Sequence, residues 1–216
     1  MKQFTKIIFT IAALTSSEAF AENNSSKTQK NYTQGDYTQG NYVGIDVSRV
    51  SMSNKYQISG ENISNYSSFR DSGTGFGISY KHAFNRDKVF IAPGIFFDKL
   101  DLEARDHDND IVSSDYRYGI KLEIGYDVND KFAAYMTNGF SNVDYKVDWQ
   151  SIGKVKSGSK LSHFIGLGSI YKISNDVSLN IEYNLQSIVL DTPDESSINQ
   201  VKLNLSALKF GVSYHF

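Results

Sequence analysis

Seven charged residues occupy alternate positions of segments whose intervening positions are apolar or aromatic. Three are carboxylates and four are lysines, so the set could line an ion pathway or neutralise itself in a buried network. Buried charges persist only when they are paired, and both signs are present here. We therefore predict a network of ion pairs formed by Asp46, Lys81, Lys121, Glu123, Lys172, Glu182 and Lys209.

Four histidines are the other candidates for chemistry. His163 follows Ser162, but neighbours on a strand point to opposite faces, so the two cannot form a nucleophile–base pair. His82 and His215 lie beside short turns, and His107 lies in a polar loop. Because catalysis needs a nucleophile or base oriented by a partner, we expect neither an enzyme nor a cofactor.

An acidic segment at positions 106–110 resembles the start of a calcium loop. Its sixth position is Ile111, where glycine is needed, and its twelfth is Arg117, where a bidentate glutamate is needed. We therefore expect a solvated loop and no metal site. The absence of cysteine excludes disulfides and cysteine-based metal sites. A net charge of −2 leaves no basic surface for nucleic acid.

The charged residues lie on segments with a period of two. From Tyr116 to Tyr126, apolar and aromatic residues alternate with charged residues and glycine, which predicts a strand rather than a helix. This strand is long enough to cross a bilayer, which takes roughly 9–11 tilted residues. The alternation recurs near residues 43, 76, 165, 179 and 208. Two weaker segments, 89–102 with Pro93 and 131–145, bring the prediction to eight strands.

The predicted connections alternate between short and long. Tight turns rich in Asn and Asp fall at 85–88, 129–131 and 174–176. Longer polar loops are predicted near 53–71, 103–114, 142–159 and 190–199, and this alternation is expected of an outer-membrane barrel with both termini on the short-turn side. The long loops carry aromatic residues, which are common in recognition surfaces. These residues are Tyr56, Tyr66, Phe69, Tyr145 and Trp149.

The N-terminal segment is predicted to direct export. Lys2 and Lys6 precede or flank a short apolar run, and Ala19-Phe20-Ala21 offers a cleavage site, so residues 1–21 are expected to be a cleaved signal peptide. Residues 22–40 are polar and of low complexity, which predicts a flexible periplasmic extension. The barrel domain is predicted at 41–216.

The alternation alone does not decide whether the apolar face of such a barrel points outward to lipid or inward. A soluble lipocalin-like binder would turn the apolar face inward around a ligand. Charges and glycines on the second face favour a crowded interior, since eight strands enclose a lumen that side chains fill. Aromatic residues beside the short turns favour an interfacial girdle on a lipid-facing surface. The girdle residues are Tyr80, Phe90, Tyr126, Tyr171 and Tyr214.

The C-terminal segment carries a resemblance to a known family. Apolar or aromatic residues stand at every second position up to the final phenylalanine, namely Leu208, Phe210, Val212, Tyr214 and Phe216. This pattern is similar to the assembly signal of outer-membrane barrels, which the barrel-insertion machinery reads. Together with the hairpin Ile165–Tyr183, it resembles the opacity-protein and OmpA-type small barrels.

The resemblance implies an all-β, eight-stranded antiparallel transmembrane up-and-down β-barrel that crosses the bacterial outer membrane several times. Its expected partners are outer-membrane lipid and the insertion machinery, with a host surface molecule as the expected ligand of the loops. The expected function is a non-enzymatic surface protein or adhesin that presents long extracellular loops. Two alternatives stay open: a narrow porin-like ion channel and a soluble periplasmic lipocalin-like binder.

Overall fold

Eight antiparallel strands form a closed barrel in which each strand pairs with its neighbours in sequence and β1 pairs with β8. The computed structural model describes residues 39–58, 70–105, 111–149, 154–191 and 198–216. The predicted fold class is therefore confirmed. The predicted signal peptide and all but the last two residues of the extension lie outside the described residues. The strands are β1 (Gly40–Ile58), β2 (Arg70–Arg86), β3 (Val89–Arg105), β4 (Ile111–Asn129), β5 (Phe132–Trp149), β6 (Lys154–Lys172), β7 (Val177–Asp191) and β8 (Ile198–His215).

The three predicted tight turns are present and are held by local polar groups. Asp87 adopts a left-handed backbone with φ 55°, a conformation that Asp tolerates better than most residues. The side chain of Asn129 accepts hydrogen bonds from the backbone N–H of Lys131 and Phe132, each at 3.0 Å. Ser174 Oγ accepts the N–H of Val177 at 3.1 Å. These short turns define one end of the barrel, called here the short-turn end.

The apolar face of the strands points outward over the half of the barrel that adjoins the short turns. Ile45 is 52% exposed, Leu167 is 64% exposed and Ile181 is 47% exposed, whereas Lys81 and Glu123 are buried. Such a surface is stable only against lipid, because water would have to solvate a continuous apolar belt. The lipocalin-like orientation is thus excluded. We call this belt the apolar band.

One member of the predicted aromatic girdle was assigned to the wrong face. Phe90 is 0% exposed and lies inside the barrel, because Val89 and Ile91 occupy the outward positions of β3. Tyr126 and Tyr214 do lie on the outward face beside the short turns. The phase of β3 was hard to read because apolar residues fall on both of its faces.

The strands continue well beyond the apolar band, and there the polarity of their two faces inverts. Strand lengths run from 15 to 19 residues, against the roughly 9–11 needed to cross a bilayer. On β8, Leu208 and Phe210 point outward. Further from the short turns on the same strand, Leu203 and Leu205 are buried inside and Lys202 is exposed. The inward apolar cluster of this half is Val50, Met52, Leu100, Leu102, Val112, Val143, Val147, Ile188, Leu190, Leu203, Leu205 and Ala207.

The long loops predicted from the sequence overlap the ends of the strands. β1 continues to Ile58, β3 to Arg105, β5 to Trp149 and β7 to Asp191, so the loop predictions near 53–71, 103–114, 142–159 and 190–199 were too long. The aromatic side chain of Tyr145, expected on a loop surface, packs against the inward apolar cluster instead. The remaining connections, including the acidic segment 106–110, lie outside the described residues.

The hydrogen-bond ladder is interrupted at several places, including register shifts in the β1–β8, β3–β4 and β4–β5 pairings. The β2–β3 pairing is absent between Lys81/Gly94 and Phe84/Ile91, around Pro93, which lacks an N–H to donate. The β6–β7 pairing ends at Phe164/Gln186, although both strands run on. In the described part of the chain, no helix has the length and hydropathy to span a membrane.

Candidate functional site

The interior of the barrel is filled in three layers, and the middle layer carries the charges. At the short-turn end, small and aromatic side chains form the first layer. At the opposite end lies the apolar cluster described above. The first layer consists of Tyr42, Ala83, Phe90, Ala92, Ala133, Tyr135 and Ile170.

The part of the charged layer nearer the short turns is centred on Glu123, which is fully buried. Lys81 Nζ lies 2.5 Å from Glu123 Oε2, and Lys121 Nζ lies 2.8 Å from Glu123 Oε1. Each carboxylate oxygen therefore faces its own ammonium group. Because Lys81 comes from β2 and Glu123 from β4, the pair ties together strands that are not neighbours in the wall.

Glu182 is held mainly by neutral donors in the same layer. Tyr135 Oη and Thr137 Oγ1 donate to Glu182 Oε2 at 2.9 and 3.0 Å, and Asn184 Nδ2 donates to Glu182 Oε1 at 2.7 Å. Its register partner on β8 is Lys209. These three donors replace the water that the carboxylate loses on burial. Without them, the buried charge would be costly.

The part of the charged layer further from the short turns is centred on Asp98. Arg117 donates to Asp98 Oδ2 through Nε at 3.0 Å and through Nη2 at 2.6 Å. Lys209 Nζ donates to Asp98 Oδ1 at 2.6 Å and lies 3.3 Å from Asp46 Oδ1. Lys209 thus joins two carboxylates across the lumen.

Aromatic rings close the space around Arg117. The rings of Phe96 and Phe164 meet edge to face, with their centroids 5.4 Å apart. The Arg117 guanidinium carbon lies 5.4 Å from the centroid of Phe96 and 5.7 Å from that of Phe164. The guanidinium is therefore enclosed by a carboxylate on one side and ring surfaces on others, an arrangement that favours Arg over Lys.

Glycines make room for this layer. A β-carbon at Gly77 would lie within 2.6 Å of carboxylate oxygens of both Asp46 and Asp98. A β-carbon at Gly168 would collide with the ring of Tyr135. Gly77 and Gly168 are therefore required by the size of the interior side chains, and neither is part of a phosphate loop.

The charged layer is balanced and nearly solid. Its residual cavity is about 30 Å³, which is room for about one water molecule. Four acids and four bases make up the layer: Asp46, Asp98, Glu123 and Glu182, with Lys81, Arg117, Lys121 and Lys209.

The structure brings together all but one of the seven charged residues singled out in the sequence. Lys172 instead lies at the short-turn end, where it lines a small cavity with Tyr42 and His215. Asp98 and Arg117, which the sequence analysis left out of the set, are central to the layer. Arg117 was detectable, because it shares the inward face of β4 with Lys121.

The candidate catalytic groups remain apart. Ser162 is buried and donates to the carbonyl oxygen of Ser187 at 2.7 Å, whereas His163 is exposed on the outward face near Asn138. His82 contacts Asn41 near the short turns, and His107 lies outside the described residues. The described residues thus contain no nucleophile oriented by a histidine.

The C-terminal residues predicted to form an assembly signal all lie on the outward face of the barrel. Phe216 pairs with Asn41 through reciprocal backbone hydrogen bonds of 3.0 and 3.3 Å, which continue the β1–β8 seam. Their recognition by insertion machinery stays a prediction. The residues are Leu208, Phe210, Val212, Tyr214 and Phe216.

The sequence and the fold of this chain are similar to those of known proteins. The family model described as outer membrane protein beta-barrel domain matches residues 7–216. Neisserial surface protein A is 17% identical, with 82% of this chain and 97% of that chain covered and a TM-score of 0.53. OprG from Pseudomonas aeruginosa is 14% identical, with 85% and 98% covered and a TM-score of 0.52. At these identities the likeness shows the fold alone. No curated protein matches the chain.

Proposed function

Because the chain belongs to the outer membrane protein β-barrel domain family, we propose that it is a non-enzymatic surface protein that contacts host molecules. It crosses the bacterial outer membrane with its eight strands. In this proposal the strand extensions beyond the apolar band project into the medium and, with the connections at their ends, present an adhesive surface. One similar barrel is itself named a surface protein.

The inversion of polarity along the strands carries this proposal. Beyond the apolar band, the outward face is mostly polar, with Val155 and Val189 as exceptions, and the interior is apolar, as in a water-soluble barrel. Such an extension requires additional ordered residues, and these residues do not anchor the barrel in the membrane. A rigid support fixes the ends of the connecting segments, and such preorganisation reduces the entropy lost on binding.

The filled interior supports recognition over transport. The four acids and four bases neutralise one another, and the apolar layers cover them from both ends. An ion entering this layer would have to displace a paired side chain, at a cost of several kcal/mol. We therefore expect no reproducible discrete conductance in planar-bilayer recordings, and such conductance would favour the pore instead.

Adhesion of cells that display the full barrel tests the proposal. Segments 59–69, 106–110, 150–153 and 192–197 would be replaced one at a time by Gly-Ser sequences of equal length, with replacement of the turn at 87–88 as the matched control. We expect cells that display the barrel to bind epithelial cells or matrix proteins. This binding should be lost when at least one of the four segments is replaced, and it should be retained in the control. Equal adhesion of all variants and of cells without the barrel would refute the proposal.

A further inference from the structure

A groove on the outside of the barrel lies at the edge of the apolar band that is further from the short turns. Its volume is about 520 Å³, and it spans β8, β1, β2 and β3. The floor is one row of the wall in which Phe210 pairs with Val47 and Val47 pairs with Phe76. These three side chains are 49%, 57% and 51% exposed, so the floor is open and apolar.

Two cations border this floor. Lys99 pairs with Phe76 and so ends the same row, while Arg49 stands one outward position above Val47 on β1. Strand spacing and rise place their backbones roughly 12 Å apart. Both side chains are exposed and long enough to reach one group that lies between them.

Neither cation is neutralised by the protein residues that the structure describes. Arg49 Nη2 donates to Ser72 Oγ at 2.5 Å, and the ion pairs of the described residues involve neither Arg49 nor Lys99. One carboxylate, Asp101, also lines the groove, next to Thr74. The rim therefore keeps a net positive charge.

We propose that this groove binds an anionic, phosphate-bearing lipid of the outer leaflet, with its phosphate between Arg49 and Lys99 and an acyl chain on the Phe210–Val47–Phe76 row. This proposal rests on the membrane location of the barrel and is independent of adhesion. A fixed lipid at this point would anchor the barrel at a defined depth.

Charge and polarity together select this occupant. Arg binds phosphate oxygens through several N–H donors, and Lys supplies a point charge. The floor continues the lipid-facing band without a break, so an acyl chain that lies on it stays within the hydrocarbon region. A soluble anion would leave that floor unused, and a zwitterionic lipid would bring its own cation to the phosphate and so gain less from Arg49 and Lys99.

Native mass spectrometry of the full barrel in detergent tests the proposal with phosphatidylglycerol and phosphatidylcholine as probes. The variants are Arg49→Gln, Lys99→Gln and both together, with Lys146→Gln as the control, because Lys146 is exposed on β5 on another part of the wall. We expect each groove variant to reduce the preference for phosphatidylglycerol about fivefold, and the pair about 30-fold. Heat-modifiable gel migration verifies folding of each variant.

Three outcomes would overturn the proposal. The double variant could keep the wild-type preference, which would show that the groove does not hold the lipid. Lys146→Gln could lose as much preference as the groove variants, which would show attraction by total charge alone. Inorganic phosphate or glycerol phosphate could displace the lipid at equal concentration, which would show an anion site without a lipid. The proposal requires that the groove variants alone lose binding and that these soluble anions fail to compete.

Discussion

Replacing Asp98 by asparagine is expected to destabilise the folded barrel by roughly 3–5 kcal/mol, the usual cost of breaking a buried ion pair by removing one partner. Asp98 accepts from both Arg117 and Lys209 at distances of 2.6–3.0 Å. An amide has the same shape, but it carries no charge and turns donors toward one of these cations. Lys209 would then keep Asp46 at 3.3 Å, whereas Arg117 would keep the neutral oxygen of Gln186 at 3.4 Å.

The loss is measurable by urea unfolding of the barrel in lipid vesicles. Asp101→Asn is the matched control, since Asp101 lies on the same strand with its side chain exposed on the outward face. We expect the control to stay within about 0.5 kcal/mol of the wild type. Equal unfolding midpoints for Asp98→Asn and Asp101→Asn would show that the interior charges are solvated rather than paired in a dry layer.

Ile181→Arg is expected to lower the free energy of unfolding by roughly 2–4 kcal/mol, the measured scale for Arg near the middle of the lipid-facing surface of a barrel. Ile181 is 47% exposed and lies midway along the outward apolar residues of β7. The substituted guanidinium would have to remain in hydrocarbon or deform the bilayer around it. Lipid solvates neither charge nor N–H donors.

Ser187→Arg on the same face of the same strand is the control, and we expect a change of about 0.5 kcal/mol or less. Ser187 is exposed beyond the apolar band, where the surrounding solvent is water. Both variants would be unfolded in vesicles of one lipid composition. A cost at position 187 equal to that at position 181 would mean that the membrane covers the whole strand.

The membrane-facing half of the fold was predictable because lipid imposes one simple rule on it. Where lipid lies outside and a crowded polar layer inside, alternate residues differ sharply, as from Tyr116 to Tyr126. The turns at 85–88, 129–131 and 174–176 were predictable because Asn, Asp and Ser satisfy tight turns through their own side chains.

The other half was missed because the solvent outside changes from lipid to water. Beyond the band, the inward residues become apolar and the outward ones polar, so the period of two continues with its polarity reversed. On β8, the next outward residues after Leu208 in the direction away from the short turns are Ser206 and Asn204. A prediction from local sequence assigns such polar residues to a loop. No short window of sequence distinguishes an inverted strand from a polar connection.

The central acid was missed for a related reason. On β3, Phe96 lies inside and Phe97 outside, so the strand shows no clean alternation near Asp98. The partners of Asp98 also come from distant segments, and Lys209 lies 111 residues further along the chain. Only closure of the barrel brings them together, and a local pattern carries no information about that closure.

Spin labelling at single cysteines tests most directly whether one strand face passes from lipid into water. The chain has no native cysteine, so labels at Ile181→Cys and Leu208→Cys can be compared with labels at Ser187→Cys and Ser206→Cys. We expect the first two to be accessible to oxygen and protected from an aqueous nickel chelate, and the second two to show the reverse. Oxygen-rich, chelate-protected labels at all four positions would contradict the account, as would chelate access at position 181.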